Sequence, residues 1–338
     1  MLGIGLAGYG YWGPKLLRNF MTTPGAKVIG VCDLQADRLS EIRTVYPMMH
    51  VTPEFETLIR HPGIDAIVIA TPISTHFKLA LAALQAGKHV FVEKPMTETT
   101  DEALSLIREA KRCQRTLMVG HTFIYSGAVQ KMKELLKGGE IGEVYYYDSV
   151  RINLGRFQDD ANVMWDLAVH DLSIMDYLMP VRPSAVIANG MHHIPGQPEN
   201  MAYLTFIYNR PLMAHLHVNW LAPLKIRRTL IGGSRKMIVY DDLAPSEKVM
   251  VYDRGVTFDH DRNAACQNRV GYRSGDMWAP QISNTEPLKA EAQHFVRCVE
   301  SGEEALSGGM SALWIIRVLE AASLSLEKHG QRVEIAPI

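Results

Sequence analysis

Cysteine, net charge and long apolar stretches are all scarce in this chain, and each scarcity closes off a class of function. Its four cysteines, Cys32, Cys113, Cys266 and Cys298, stand far apart in 338 residues and form no C-x-x-C pair. That excludes a zinc knuckle or disulfide framework as the organising device and points to a reduced, cytoplasmic setting. Lys and Arg number 35 against 36 Asp and Glu, and a net charge of −1 offers no footprint for nucleic acid or an anionic membrane. No basic region followed by an apolar stretch precedes the first strand, and no apolar run reads as long enough to span a bilayer. Internal repeats and low-complexity tracts are lacking too. What remains is a chain with 47% hydrophobic residues, enough for a sizeable core, and too long for one nucleotide-binding domain. Two domains sharing a cleft are expected.

The most informative stretch that is present starts at Leu2. An apolar strand leads into Gly8-Tyr9-Gly10-Tyr11-Trp12-Gly13, Pro14 opens a helix to about Met21, and a second strand, Lys27 to Cys32, delivers Asp33. Gly8 permits a tight turn, Gly10 lets the backbone approach a pyrophosphate, and Gly13 allows a helix to pack closely on a strand. The helix then aims its first N–H groups at the phosphates, and Pro14 suits a position that needs no donor. Glycines punctuate many turns, so the motif alone is weak. Here the strand before, the helix after and the acid beyond agree, and the pattern predicts a dinucleotide site using Gly8, Gly10, Tyr11, Trp12, Gly13 and Asp33. The carboxylate of Asp33 suits a ribose hydroxyl and repels a phosphate on it, which favours NAD over NADP. Arg38, one helical turn further on, either moderates that preference or is a solvated charge on the helix Ala36 to Tyr46.

Strand and helix signals alternate through the first third of the chain, as a parallel sheet with crossover helices requires. Ile64 to Ala70 reads as a buried strand, Thr75 to Ala86 as a helix stopped by Gly87, and His89 to Glu93 as the next strand. Thr99-Thr100-Asp101-Glu102 offers a capping box for a helix to about Cys113, followed by a strand from Thr116 to Val119. The pattern changes near Gly120, which sets expected domains at 1–120 and 121–338. Beyond a helix from about Ala128 to Lys137, strand candidates dominate from Val144 to Asp253, joined by short turns such as Asn209-Arg210 and Gly232-Gly233. They imply a mostly antiparallel sheet, so the fold class is α/β followed by α+β. Helices at Glu286 to Glu300 and Met310 to Lys328 close the chain. Gly255 to Asn284 reads as its least regular part, a mobile or oligomer-contacting loop.

Two further stretches carry chemistry. Glu93-Lys94-Pro95 puts an acid and a lysine at the carboxyl end of a parallel strand, where open α/β sheets bind ligands. A lysine there can stabilise an alkoxide that develops as hydride leaves, and Lys-Pro raises the option of a cis bond. Taken alone, Glu-Lys-Pro is more often a strand-ending turn. From Trp165 to Met179 the spacing predicts a helix ended by Pro180, with Ala168, Leu172, Met175 and Met179 as its buried stripe. Asp166, His170, Ser173 and Tyr177 share another face, making Asp166 and His170 neighbours. An imidazole with an ordinary pKa of about 6.5 suits proton exchange with an alcohol, and a carboxylate one turn away can orient it. The alternative is a hydrated polar face.

Together these motifs resemble the Gfo/Idh/MocA family, named for glucose-fructose oxidoreductase and inositol dehydrogenase, over essentially the whole chain. The resemblance rests on residues 8 to 13, Ala70-Thr71-Pro72 with His76, Gly87-Lys88-His89-Val90 leading into Glu93-Lys94-Pro95, and Asp166 with His170. It implies an N-terminal Rossmann domain and a second domain with a large, mostly antiparallel open β-sheet that pairs with another subunit, hence a homodimer or homotetramer. It further implies that Ala70, Thr71, Pro72, His76, Glu93 and Lys94 line the cofactor, that Lys94 also contacts substrate, and that Asp166 and His170 complete the active site without a metal. His170 would take the proton of a ring alcohol, Lys94 would stabilise the oxyanion, and Asp166 would hold the imidazole.

Substrate identity is less legible. The blocks Gly120-His121-Thr122-Phe123, Arg151 to Arg156 and Asn162 to Asp166 look most like the branch acting on sugars in nucleotide-sugar pathways. Many relatives carry an arginine soon after the last strand of the first domain, whereas His121, Phe123 and Tyr125 occupy that region here. His121, Asn153, Arg156 and Trp165 are candidate contacts for a sugar, polyol or phosphate, with surface and packing roles as their alternatives. His215 and His217 alternate onto one strand face, with His192-His193 nearby in sequence, but no carboxylate or third ligand accompanies them at a recognisable spacing, so no metal is expected. An inositol or polyol dehydrogenase, an NAD-dependent glycosidase of the same family and a non-catalytic cofactor sensor are the competing readings.

Overall fold

The structure is a computed structural model and describes residues 1–155, 161–259 and 269–337. In chain order the elements are β1 (Leu2–Ala7), α1 (Gly13–Met21), β2 (Ala26–Cys32), α2 (Ala36–Val45), β3 (His50–Thr52), α3 (Phe55–Arg60), β4 (Ala66–Ile69), α4 (Ile73–Gln85), β5 (His89–Glu93), α5 (Thr100–Cys113) and β6 (Leu117–Gly120). A 3-10 turn at Thr122–Tyr125 precedes α6 (Gly127–Lys137) and β7 (Val144–Leu154), and a π-helical turn at Met164–Ala168 runs into α7 (Val169–Leu178). Then come β8 (Ala185–Met191), β9 (Met201–Ile207), β10 (Met213–Asn219), β11 (Leu221–Gly233), β12 (Met237–Asp241), β13 (Val249–Asp259), β14 (Arg269–Trp278), α8 (Pro287–Ser301), α9 (Gly309–Glu327) and β15 (Val333–Glu334). The chain forms two compact units, the first chiefly Met1–Tyr125 with Thr285–Glu320, the second Ser126–Asn284 with Ala321–Ala336. The break after Tyr125 falls just beyond Gly120, and the chain returns to the first unit at Thr285.

The first unit is built on a parallel sheet of order β3-β2-β1-β4-β5-β6, which reverses direction between β1 and β4. Such a reversal opens a crevice at the carboxyl ends of the strands. Strands covered by helices on both faces must be apolar throughout, and Ala66, Ile67, Val68 and Ile69 of β4 are completely buried. On α1, Leu16, Leu17 and Phe20 turn inward, and the Phe20 ring meets Phe91 of β5 and Phe295 of α8 edge-on at 5.8 and 6.0 Å. Thr99 caps α5 by accepting from Glu102 N at 3.3 Å, while the Glu102 carboxylate accepts from Glu98 N at 3.2 Å. Half of the expected capping box is therefore made. The short β3 and α3 were not legible in the sequence.

The second unit carries a nine-stranded sheet of order β14-β13-β12-β11-β7-β10-β9-β8-β15, in which β7 and β10 run parallel and the other pairs antiparallel. Alternation sorts its faces. Ala202, Leu204, Phe206, Ala214, Leu216 and Val218 are fully buried, whereas Tyr203 and Met213 on the opposite face are 39% and 56% exposed.

Three expectations need correction. The stretch expected to be irregular from Gly255 to Asn284 contains β14 and the end of β13, which pair antiparallel; its residues 260–268, with Cys266, lie outside those described. The helix expected from Trp165 starts instead as the π-turn, whose wider winding shifts the faces, and Ser173 is buried rather than sharing a polar face. Among the described residues one helix, Gly309–Glu327, is long and apolar enough to cross a bilayer at 19 residues, but its Trp314, Ile315, Ile316, Val318 and Leu319 are buried in the protein core.

Candidate active site

The turn between β1 and α1 brings three backbones together, and its glycines are there for space. Gly8 has φ of +95°, and a Cβ on it would stand 2.5 Å from the Ala70 carbonyl oxygen, so the turn rests directly on the loop after β4. A Cβ on Gly13 would stand 2.4 Å from the Gly8 oxygen. Gly10 differs: among the described residues nothing but the Arg38 guanidinium, at 3.7 Å, comes within 4 Å of that position. The first two glycines thus serve the protein's own packing, and Gly10 leaves room for a ligand. No acid lies in the first turn of α1, and Lys15 Nζ sits 3.5 Å from the centre of the exposed Tyr11 ring and 4.4 Å from that of Trp12. A helix N-terminus free of carboxylates with a cation beside it suits a diphosphate. Asp33, the residue after β2, is buried, its Oδ2 accepting from Tyr9 N at 2.7 Å and its Oδ1 from Gln35 N at 2.8 Å. Arg38 Nη1 lies 3.2 Å from Oδ2, so the structure joins the two residues weighed for the ribose. These residues fit NAD.

The loops after β4 and β5 are tied through one ring. His76 on α4 is buried, with Nδ1 2.8 Å from the Pro95 carbonyl oxygen and Nε2 2.8 Å from that of Thr71. Burial, the larger effect, lowers its pKa, and the two carbonyls oppose that shift. A neutral ring donates to one carbonyl at a time, an imidazolium to both. Thr71 Oγ1 pairs with Thr75 Oγ1 at 2.6 Å, and Pro72 caps α4. The Lys94–Pro95 bond is cis. Lys94 follows the last residue of β5; Glu93 before it and His121 after β6 are both buried.

In the second unit, Asp166 lies in the π-turn and its Oδ2 accepts from Trp220 Nε1 at 3.2 Å. His170, half-buried at the start of α7, accepts at its carbonyl from Ser173 Oγ at 2.7 Å. The next residue anchors the helix: Asp171 is buried with Arg151 of β7, whose Nε donates to Oδ2 at 2.6 Å and Nη2 to Oδ1 at 3.3 Å, and Ser149 Oγ adds a bond to Oδ1 at 2.9 Å. Trp165 is half-buried with Nε1 donating to Ser323 Oγ at 3.2 Å, Asn153 is half-buried on β7, and Arg156 lies outside the described residues.

Sequence reasoning missed three features. Trp220 and Glu291 carry no local motif, and only the fold sets them beside Asp166 and Thr122 respectively. His294, Cys298 and Glu303 gather ligand-type atoms within 4.8 Å of one another, with the i, i+4 spacing of His294 and Cys298 as the available signal. There, Arg297 already sets its guanidinium 2.6 Å from His294 Nδ1 and donates to Glu303 Oε1 at 2.8 Å, so a cation fills the position. The face carrying His215 and His217 does hold a carboxylate, Asp148, whose Oδ1 is 3.4 Å from His215 Nδ1, while the His217 ring stacks on Tyr203 at 4.2 Å.

Comparison with known proteins decides the family. Residues 2–121 match the model of an oxidoreductase family with an NAD-binding Rossmann fold, and residues 129–239 match the GFO/IDH/MocA C-terminal domain. The chain belongs to the GFO/IDH/MocA family. The uncharacterised oxidoreductase YdgJ of Escherichia coli is 32% identical over 269 residues, 72% of each chain. The scyllo-inositol 2-dehydrogenase (NAD+) of Bacillus subtilis is 28% identical, covering 99% of this chain and 95% of its own. The UDP-N-acetylglucosamine 3-dehydrogenase of Acidithiobacillus ferrooxidans is 25% identical over 97% of this chain and 98% of its own, and its solved structure superposes with a TM-score of 0.80 at 24% identity, covering 98% of this chain and 99% of its own. As a member of the family, the chain is an NAD-binding oxidoreductase.

Proposed function

We propose that this enzyme oxidises or reduces a ring carbon of a sugar or polyol, with a nucleotide-linked or phosphorylated sugar as the substrate. The observation that carries the reading is Lys94, which leaves β5 at the carboxyl edge of the parallel sheet, next to loops fixed by His76. Full-length likeness to an inositol dehydrogenase and a nucleotide-sugar dehydrogenase supports the substrate class. Gly8, Gly10, Tyr11, Trp12, Gly13, Asp33, Arg38, Ala70, Thr71, Pro72, His76, Glu93 and Lys94 hold the dinucleotide, which when bound supplies the hydride acceptor or donor. Lys94 stabilises the oxyanion, His170 takes the hydroxyl proton, and Asp166, steadied by Trp220, orients the imidazole.

The test starts with NAD and a panel of free, phosphorylated and nucleotide-linked sugars and inositols, read by NADH absorbance and by mass spectrometry of products. With a substrate in hand, Lys94→Ala and His170→Ala should each lower kcat about a hundredfold or more while NAD affinity changes far less, and Asp166→Asn should cost less than His170→Ala. Near-normal turnover by either alanine variant would remove the proton-transfer assignment.

We also propose a homodimer or homotetramer paired through the second unit's sheet face, where Tyr146, Tyr203 and Met213 are 40%, 39% and 56% exposed. Light scattering at micromolar concentration should give twice or four times the chain mass. A monomer would end that proposal.

A further inference from the structure

Behind Lys94 the first unit buries more titratable groups than the proposed chemistry uses. Glu93 ends β5 opposite Gly120 of β6, and its carboxyl carbon lies 3.2 Å from where a Cβ on Gly120 would stand. Residue 120 therefore has to be small for the acid to lie flat against the strand. Glu291, fully buried on α8, accepts from Thr122 Oγ1 at 2.7 Å through Oε2, while its Oε1 has no protein partner among the described residues. Neither ring nitrogen of the buried His121 has one either. Two buried carboxyl groups and a buried imidazole thus meet the short stretch Gly120 to Thr122, Glu93 against Gly120 and Glu291 on Thr122, just behind the half-buried Lys94. Buried carboxylates are costly as ions even where one donor reaches each, Lys94 for Glu93 and Thr122 for Glu291, and two that feel one another's charge resist ionising together.

We propose that the buried carboxyl groups of Glu93 and Glu291 together keep a proton that leaves the protein when NAD binds and stays when NADH binds. The inference rests on the reading that Lys94 and Glu93 line the nicotinamide end of the dinucleotide. NAD and NADH share their diphosphate, riboses and adenine and differ in the ring, which is cationic when oxidised and neutral when reduced. A cation brought to a carboxyl group favours its ionised form, so the O–H bond breaks and the proton passes to the buffer. The neutral ring gives no such push.

The surrounding groups leave the carboxyl pair as the source. Burial raises the Glu93 pKa to about 7 against the pull of Lys94, and burial with the neighbouring Glu93 charge raises that of Glu291 well above the ordinary range. His121 is already neutral, held at about 3 by burial and the Lys94 charge. Tyr125, facing Glu291, is pushed upward by burial and that carboxyl and keeps its proton, and His76, facing Pro95, is lowered by burial.

Titration calorimetry of the full chain with NAD and with NADH, at pH 7 in PIPES and in imidazole, reads the proton directly from the difference in heat between buffers. Release of about half a proton per NAD and none per NADH is expected, and the NAD Kd should fall about tenfold between pH 6 and pH 8 while that of NADH stays level. Glu93→Gln should abolish the release and Glu291→Gln should diminish it. Equal proton exchange for the two cofactors overturns the inference even if neither variant folds, as does undiminished release from a folded Glu93→Gln. Binding without any proton release removes this inference alone, whereas no binding heat for either cofactor removes the cofactor reading with it.

Discussion

The two units encode their sites by different means. In the first, the site is backbone: Gly8 and Gly13 sit where a Cβ would strike a carbonyl oxygen at 2.5 and 2.4 Å, and Asp33 is held by the N–H groups of Tyr9 and Gln35. In the second, it is side chains whose positions come from the register of long strands: Arg151 of β7 reaches Asp171, and Trp220 beyond β10 reaches Asp166. A backbone site leaves a compulsory local signature, since only glycine fits. A register-built site can be reached by many residue combinations and leaves none.

The sharpest way to break this contrast is to remove one partner of the buried pair in the second unit. Arg151 and Asp171 have side chains 4% exposed each, so Asp171→Asn strands a guanidinium without its counter-charge. Such a loss should cost about 3–5 kcal/mol of unfolding free energy, whereas the double change Arg151→Met, Asp171→Leu should restore much of it. Chemical denaturation measures both. A single variant as stable as the parent would mean that α7 is held by packing alone, and that Asp171 does not fix the helix that carries His170.

How much was legible follows the same division. Apart from the short β3 and α3, the alternation of β1 to β6 with their helices, the turn at residues 8 to 13 and the acid at Asp33 could be read directly, because parallel strands and phosphate turns restrict residue types. The π-turn at Met164–Ala168 could not, because apolar periodicity through Ala168, Leu172, Met175 and Met179 looks the same whether or not a turn is widened upstream. Glu291 was invisible for another reason: an acid on an amphipathic helix reads as solvated until the fold buries it against Thr122. The end of β13 and all of β14 were obscured by Gly, Arg and Asp in the segment they share, since an edge hairpin does not need the apolar alternation of a half-buried strand.

Within the first unit the comparison can be sharpened glycine by glycine. Gly10→Ala places its new methyl group against nothing but the mobile end of Arg38, so thermal stability should stay within about 0.5 kcal/mol of the parent while NAD affinity falls about tenfold or more. Gly8→Ala should lose both, since positive φ and a 2.5 Å contact with Ala70 strain the fold itself. Thermal melting with and without NAD separates the two outcomes. Unaltered affinity in Gly10→Ala would show that the ligand does not approach this backbone.

The smallest expected effect lies at Asp33, where backbone and side-chain encoding meet. Its carboxylate should repel a phosphate on the adenosine ribose, so NAD should bind more tightly than NADP, but Arg38 at 3.2 Å already neutralises part of that charge. The preference should therefore be modest, and Asp33→Ala should narrow it by freeing Arg38 to meet the phosphate. The same change removes the acceptor for Tyr9 N, so some NAD affinity should be lost as the turn loosens, and the ratio of the two affinities is the quantity to compare. Arg38→Ala should act oppositely, leaving the carboxylate unshielded and widening the preference. Fluorescence titration with both cofactors gives these ratios. If the unmodified protein bound NADP as well as NAD, Arg38 rather than Asp33 would be the residue that sets the choice.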